Sequence, residues 1–133
     1  MRQLLVAVLA VGLTGCATEP GRQFQQSLRE LQEFFTPSKG RQTLSAGLKQ
    51  YEEGQYDESL KNLQSAIQQG LGERDRVTAH KHVAFIHCAS NRVAQCRDEF
   101  KKALAVDPSM DLAPEEADHP VWGRVFRSVK AGR

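Results

Sequence analysis

The chain is poor in the features that mark several large functional classes. It has no run of the roughly 20 apolar residues that a membrane-spanning helix needs. Its longest apolar run, Leu4 to Val11, is far shorter. It has no excess of either charge, with 18 Lys and Arg against 16 Asp and Glu. No basic stripe with interleaved aromatics is present, which argues against a nucleic-acid partner. Aromatics are sparse, at 7%, and there is one tryptophan. Gly-rich phosphate loops, nucleophile elbows and zinc-spaced cysteine pairs are all missing. No catalytic residue, metal site, cofactor or small-molecule substrate is therefore expected, and the chain reads as a non-enzyme.

What is present begins at the first residues. Arg2 precedes the short apolar run, and Leu13-Thr14-Gly15-Cys16 follows it. The run has the size of a secretory h-region. The four residues that follow resemble the bacterial lipobox, whose cysteine is lipidated and becomes the first residue of the mature protein. Residues 1–15 are then a lipoprotein signal peptide and Cys16 carries the lipid. Multiple acyl chains make a firm anchor, because one chain alone is marginal. Ala17, where an aspartate would resemble an inner-membrane retention signal, points to the outer membrane with the body facing the periplasm. Residues 16–22 read as a lipidated tether.

With Cys16 assigned, Cys88 and Cys96 remain, an even pair in an oxidising compartment. They form either a disulfide or two buried thiols that pack as small apolar groups.

Helical periodicity runs through the rest. Phe24, Leu28, Leu31 and Phe35 fall at i, i+4, i+7 and i+11, which predicts an amphipathic helix over 23–36. Either it packs on the body, filling the groove described below, or it serves as a stalk. Thr36-Pro37-Ser38-Lys39-Gly40 interrupts the pattern. Two units follow over 41–108. The first carries Gly47, Tyr51, Gly54, Tyr56, Ser59, Leu60, Leu63, Ala66 and Ile67. The second carries Ala84, Asn91, Val93, Cys96, Phe100, Ala103, Leu104 and Pro108. Both resemble the tetratricopeptide repeat, a pair of antiparallel helices that approach closely where small residues meet. Gly47 opposite Ser59 and Ala84 opposite Cys96 are the expected contacts. Gly54 and Asn91 suit the left-handed turn between helices. Ser59 and Cys96 lie 37 residues apart, about three more than the repeat's usual 34.

The segment 109–133 reads as a cap. Pro114, Glu115 and Glu116 suit a helix start. Trp122, Val125, Phe126 and Val129 predict a last helix that covers the end of the array. The expected fold is thus all-α: two tetratricopeptide-like hairpins, an N-terminal helix and a C-terminal capping helix.

In tetratricopeptide repeats the first helix of each hairpin lines a concave groove. Residue-by-residue correspondence places Leu44, Leu48 and Tyr51 there from the first unit, and Lys81 and Phe85 from the second. Such a groove suits an extended peptide or a partner helix. The same correspondence puts Cys88 near the groove side and Cys96 in the hairpin interior. His80, His82 and His87 lack the i, i+4 spacing of helical zinc motifs; one packed and two solvated histidines are expected.

Three further strings narrow the resemblance: Ala79 to Arg92, Cys96 to Phe100, and His119-Pro120-Val121-Trp122-Gly123 with Val125 and Phe126. Together with the lipobox they resemble the TssQ family of type VI secretion-associated lipoproteins. That resemblance implies an accessory of a contractile secretion machine, with an envelope protein as partner. A general envelope-assembly adaptor, such as a pilotin or a regulator of peptidoglycan synthesis, is the alternative.

Overall fold

The computed structural model describes residues 20–132. Cys16 and the signal segment lie outside the described residues. The chain divides into two compact units, one through Phe35 and one from Thr36 onward.

The first unit contributes α1, Pro20–Phe35. It starts three residues earlier than the periodicity predicts, on a proline whose missing N–H costs nothing at a helix's first position.

The second unit is all-helical: α2 (Lys39–Glu52), α3 (Tyr56–Gln69), α4 (Glu73–Ala89), α5 (Val93–Val106), the single turn α6 (Pro114–Ala117) and α7 (Trp122–Ala131). Ser38 starts α2, its Oγ accepting the Arg41 N–H. Helices α2 and α3 form one hairpin and α4 and α5 the other. Their turns are built alike. Gly54 has φ +75° and Asn91 φ +60°. Each is flanked by the same three backbone bonds, Glu53 to Lys49, Gly54 to Tyr51 and Gln55 to Gln50 in the first turn. In the second they run from Ser90 to Ile86, Asn91 to Cys88 and Arg92 to His87. A 37-residue shift carries one set onto the other, so the extra residues sit between the hairpins, around Gly70 to Gly72.

Inside the first hairpin, Ser59 Oγ donates to the Gly47 carbonyl at 2.7 Å, fully buried. A Cβ on Gly47 would stand 3.0 Å from Leu63 Cγ and Cδ2, so the small residue sets the helix approach. In the second hairpin Ala84 and Cys96 are both fully buried at the corresponding positions.

Two apolar clusters follow. Leu44, Leu63, Ala66, Ala79, Val83 and Ile86 join the hairpins. Ala84, Phe85, Cys88, Cys96, Phe100 and Leu104 form the second with Met110, Leu112, Val125, Phe126 and Val129 from the C-terminal segment. Phe126 meets Phe100 edge-on, centroids 5.2 Å apart. The expected cap is thus present, and α7 closes the apolar end of the array.

Candidate functional site

The helix faces expected to line the groove come from α2 and α4. On α2, Leu44 is buried in the inter-hairpin cluster, while Leu48 and Tyr51 are half-buried. Leu48 borders a shallow depression of about 370 Å³, lined also by Arg41, Leu44, Ser45, Lys49, Glu52 and by Asp75 from α4. Across it, Arg41 Nε donates to Asp75 Oδ2 at 3.0 Å. The surface is an apolar strip edged by both charges.

The corresponding face of α4 is not open, and two expectations are corrected there. Phe85 is 2% exposed. Trp122 stacks on it at 4.7 Å between centroids. Phe85 is therefore core and offers nothing to a partner. Lys81 is half-buried, with Nζ donating to Glu116 Oε1 at 2.8 Å. Glu116 is the clasp of this region. Its other carboxylate oxygen accepts the Ala113 N–H, and its carbonyl accepts the Trp122 indole N–H at 2.8 Å. Glu115 and Glu116 both stand in the first turn of α6, as expected of a helix start, and Glu116 adds the packing role. His119 stacks parallel on Trp122.

Tyr51 bridges the two halves of the face. Its ring stands 5.0 Å from His82 and 6.4 Å from Phe85. Burial, with Tyr56 and Glu116 nearby, pushes its hydroxyl up to about 12. It stays neutral and packs as an aromatic ring against Tyr56, His82 and Phe85.

The histidines differ from expectation. His80 and His87 are both buried, and His82 is half-buried. His80 Nδ1 lies 2.6 Å from Glu99 Oε2, and Lys102 Nζ donates to Glu99 Oε1 at 2.6 Å. Burial raises the Glu99 carboxyl, but the His80 and Lys102 hydrogen bonds outweigh it and hold it below its ordinary value. His82 Nδ1 bonds the Thr78 carbonyl, and Arg92 Nε donates to His87 Nδ1. Burial lowers both His82 and His87; the Arg92 guanidinium adds to the shift at His87. Among the described residues no group of three His, Cys, Asp or Glu could hold a metal ion.

The His80–Glu99 pair went unnoticed in the sequence, yet its signal is there. It crosses the α4–α5 hairpin in nearly the register of Ala84 and Cys96.

Cys88 and Cys96 are bonded, with Cα atoms 5.2 Å apart. Cys88 is 3% exposed and belongs to the same core cluster as Cys96. Its placement on the groove side is corrected: Cys88, one helical turn after Ala84, shares the α4 face that packs on α5.

A scan against protein-family models, a search of curated proteins and a search of solved structures find no match to this chain.

Proposed function

We propose that this chain is a non-enzymatic lipoprotein, anchored through Cys16 in the outer membrane and facing the periplasm, that acts as a protein–protein interaction module. We further propose that it serves type VI secretion as an accessory, binding an envelope component of that machine.

One observation carries the interaction reading. The two hairpins are built alike, but their groove faces are treated differently. The C-terminal segment occupies the α4 face through Trp122 on Phe85 and Glu116 on Lys81. The α2 face keeps a depression bordered by Leu48, with Arg41, Lys49, Glu52 and Asp75 around it. An apolar floor with charges of both signs on its rim suits a short amphipathic helix or an extended peptide. The lipobox supports the anchor, and an oxidised Cys88–Cys96 pair accords with an export route. The type VI assignment rests on the sequence strings around His80, Cys96 and Trp122.

The test is a crosslinked pull-down of the lipidated protein from its native envelope, read by mass spectrometry, beside Leu48→Glu. Recovery of type VI membrane-complex or baseplate components, lost in a folded Leu48→Glu variant, supports both proposals. Peptidoglycan synthases or pilus components captured through the same face would favour the assembly-adaptor reading. Capture unaffected by Leu48→Glu would move the binding surface elsewhere.

A further inference from the structure

We propose that α1 is an interfacial helix whose apolar face lies in the lipid surface to which Cys16 tethers the chain. This inference rests on the lipidation of Cys16 given above.

The helix is strongly two-sided. At 3.6 residues per turn, Phe24, Leu28, Leu31 and Phe35 fall within an arc of about 60°, and Phe34 widens it to about 120°. Arg22, Arg29, Glu30 and Glu33 lie away from this arc. The five apolar side chains are all exposed, from 46% at Leu28 to 84% at Phe34. Five large apolar groups on a helix of 16 residues make a continuous patch, and such patches mark binding to a protein or a membrane.

The tether decides between these. Only Ala17, Thr18 and Glu19 separate Cys16 from Pro20. Fully extended, that stretch reaches at most about 14 Å. The start of α1 is thus held beside the bilayer by a covalent limit. An amphipathic helix so placed buries its apolar face about 5–10 Å into the boundary between headgroups and acyl chains.

A second copy of α1 is the rival occupant. The spacing of Phe24, Leu28, Leu31 and Phe35 fits a coiled-coil seam, but it lasts only two heptads, short of the three to four that mark a coiled coil. Phe34, outside that seam, also makes the face wider than the narrow stripe such a coil uses.

Charge sets the lipid chemistry. Arg22 and Arg29 balance Glu30 and Glu33. Attachment should therefore come from apolar burial, occur on zwitterionic lipid and resist salt.

The experiment uses the lipidated mature protein in phosphatidylcholine vesicles, spin-labelled singly at Leu28→Cys, Leu31→Cys, Arg29→Cys or Glu33→Cys. The labels at 28 and 31 should collide with oxygen several-fold more, and with a water-soluble nickel chelate several-fold less, than those at 29 and 33. Raising the salt should leave the pattern unchanged. Equal nickel access on both faces would overturn the proposal, since the helix would then stand in water. So would spin–spin broadening at 28 and 31, which would show a second copy of α1. Shielding of those two labels from oxygen and nickel alike would overturn it too, with protein as the cover. The anchor fails on a different observation: a Cys16 peptide from membrane-extracted protein that lacks the acyl mass. The label pattern is read only on protein whose acyl mass is confirmed.

Discussion

Phe85 and Trp122 stack with ring centroids 4.7 Å apart and planes 28° apart, so a residue in the groove position of one hairpin is roofed by the cap of the same domain. Phe85 also meets Phe100 at 6.0 Å, which ties the groove face, the hairpin interior and the cap into one apolar unit.

Phe85→Ala should therefore cost about 3–5 kcal/mol of stability, the usual range for a buried phenylalanine. Phe85→Glu should leave no cooperative transition. Urea denaturation followed by helical circular dichroism measures both. Trp122→Phe retains a ring over Phe85 but loses the hydrogen bond to the Glu116 carbonyl and part of the surface on which His119 stacks, a smaller loss on the order of 1–2 kcal/mol. An unchanged midpoint for Phe85→Ala would return Phe85 to the binding face.

The Gly47 contact makes a second prediction. A methyl group there meets Leu63 side-chain atoms at 3.0 Å and its backbone nitrogen at 3.2 Å. Gly47→Ala gains helix propensity, but Leu63, side chain and backbone nitrogen alike, must give way to the added methyl group. Overpacking of this kind costs about 1–3 kcal/mol, and the same urea experiment should show the net loss. Ala46→Gly, on the exposed side of α2, is the control for propensity alone. A Gly47→Ala variant more stable than wild type would mean that the hairpin can open without strain.

Oxidation of Cys88 and Cys96 should be detectable directly. Protein isolated from its native cells with thiols blocked at lysis, then denatured without reductant, should show no free thiol at these two positions. Replacing both by alanine should cost about 2–3 kcal/mol, since the loop they close is short and the stabilisation grows with loop length. Two reactive thiols per chain would show that the pair is reduced in its native compartment.

Acid should weaken the fold in two steps. His82 and His87 titrate below their ordinary value of 6.5 in the folded chain. The unfolded chain therefore binds more protons as pH falls through about 6.5, and stability drops there. Glu99 titrates below its ordinary value of 4.5. Its contribution is present above that value and is lost as pH falls through the folded-state pKa. Denaturation midpoints across the acid range should thus decline from neutrality and decline again below about 4.5. His82→Gln with His87→Gln should flatten the first step, and Glu99→Gln the second. A double-histidine variant with the wild-type profile would remove these two groups as its cause.

Much of the fold was legible because helices announce themselves locally. The apolar spacing of α1, α3 and α7, the left-handed turns at Gly54 and Asn91, and the small residues at Gly47, Ser59 and Ala84 are features of short windows. The histidines were misjudged for the opposite reason. Whether His80 is solvated depends on Glu99, nineteen residues away across a hairpin; the periodicity of α4 alone carries no record of that partner, which shows only once the hairpin register pairs the two helices. The groove was half legible. Leu48 and Tyr51 lie on the face expected of them, but the repeat pattern says nothing about whether a following segment covers that face.

Taken alone, the sequence determined the helices, the hairpin register and the small-residue contacts, because periodicity, turn chemistry and side-chain size act within a few residues of one another. Only the tertiary structure decided which part of the shared face is open. The path from Pro108 to Trp122 brings Glu116 onto Lys81 and Trp122 onto Phe85. Burial of an aromatic pair is a property of where two distant segments meet in space.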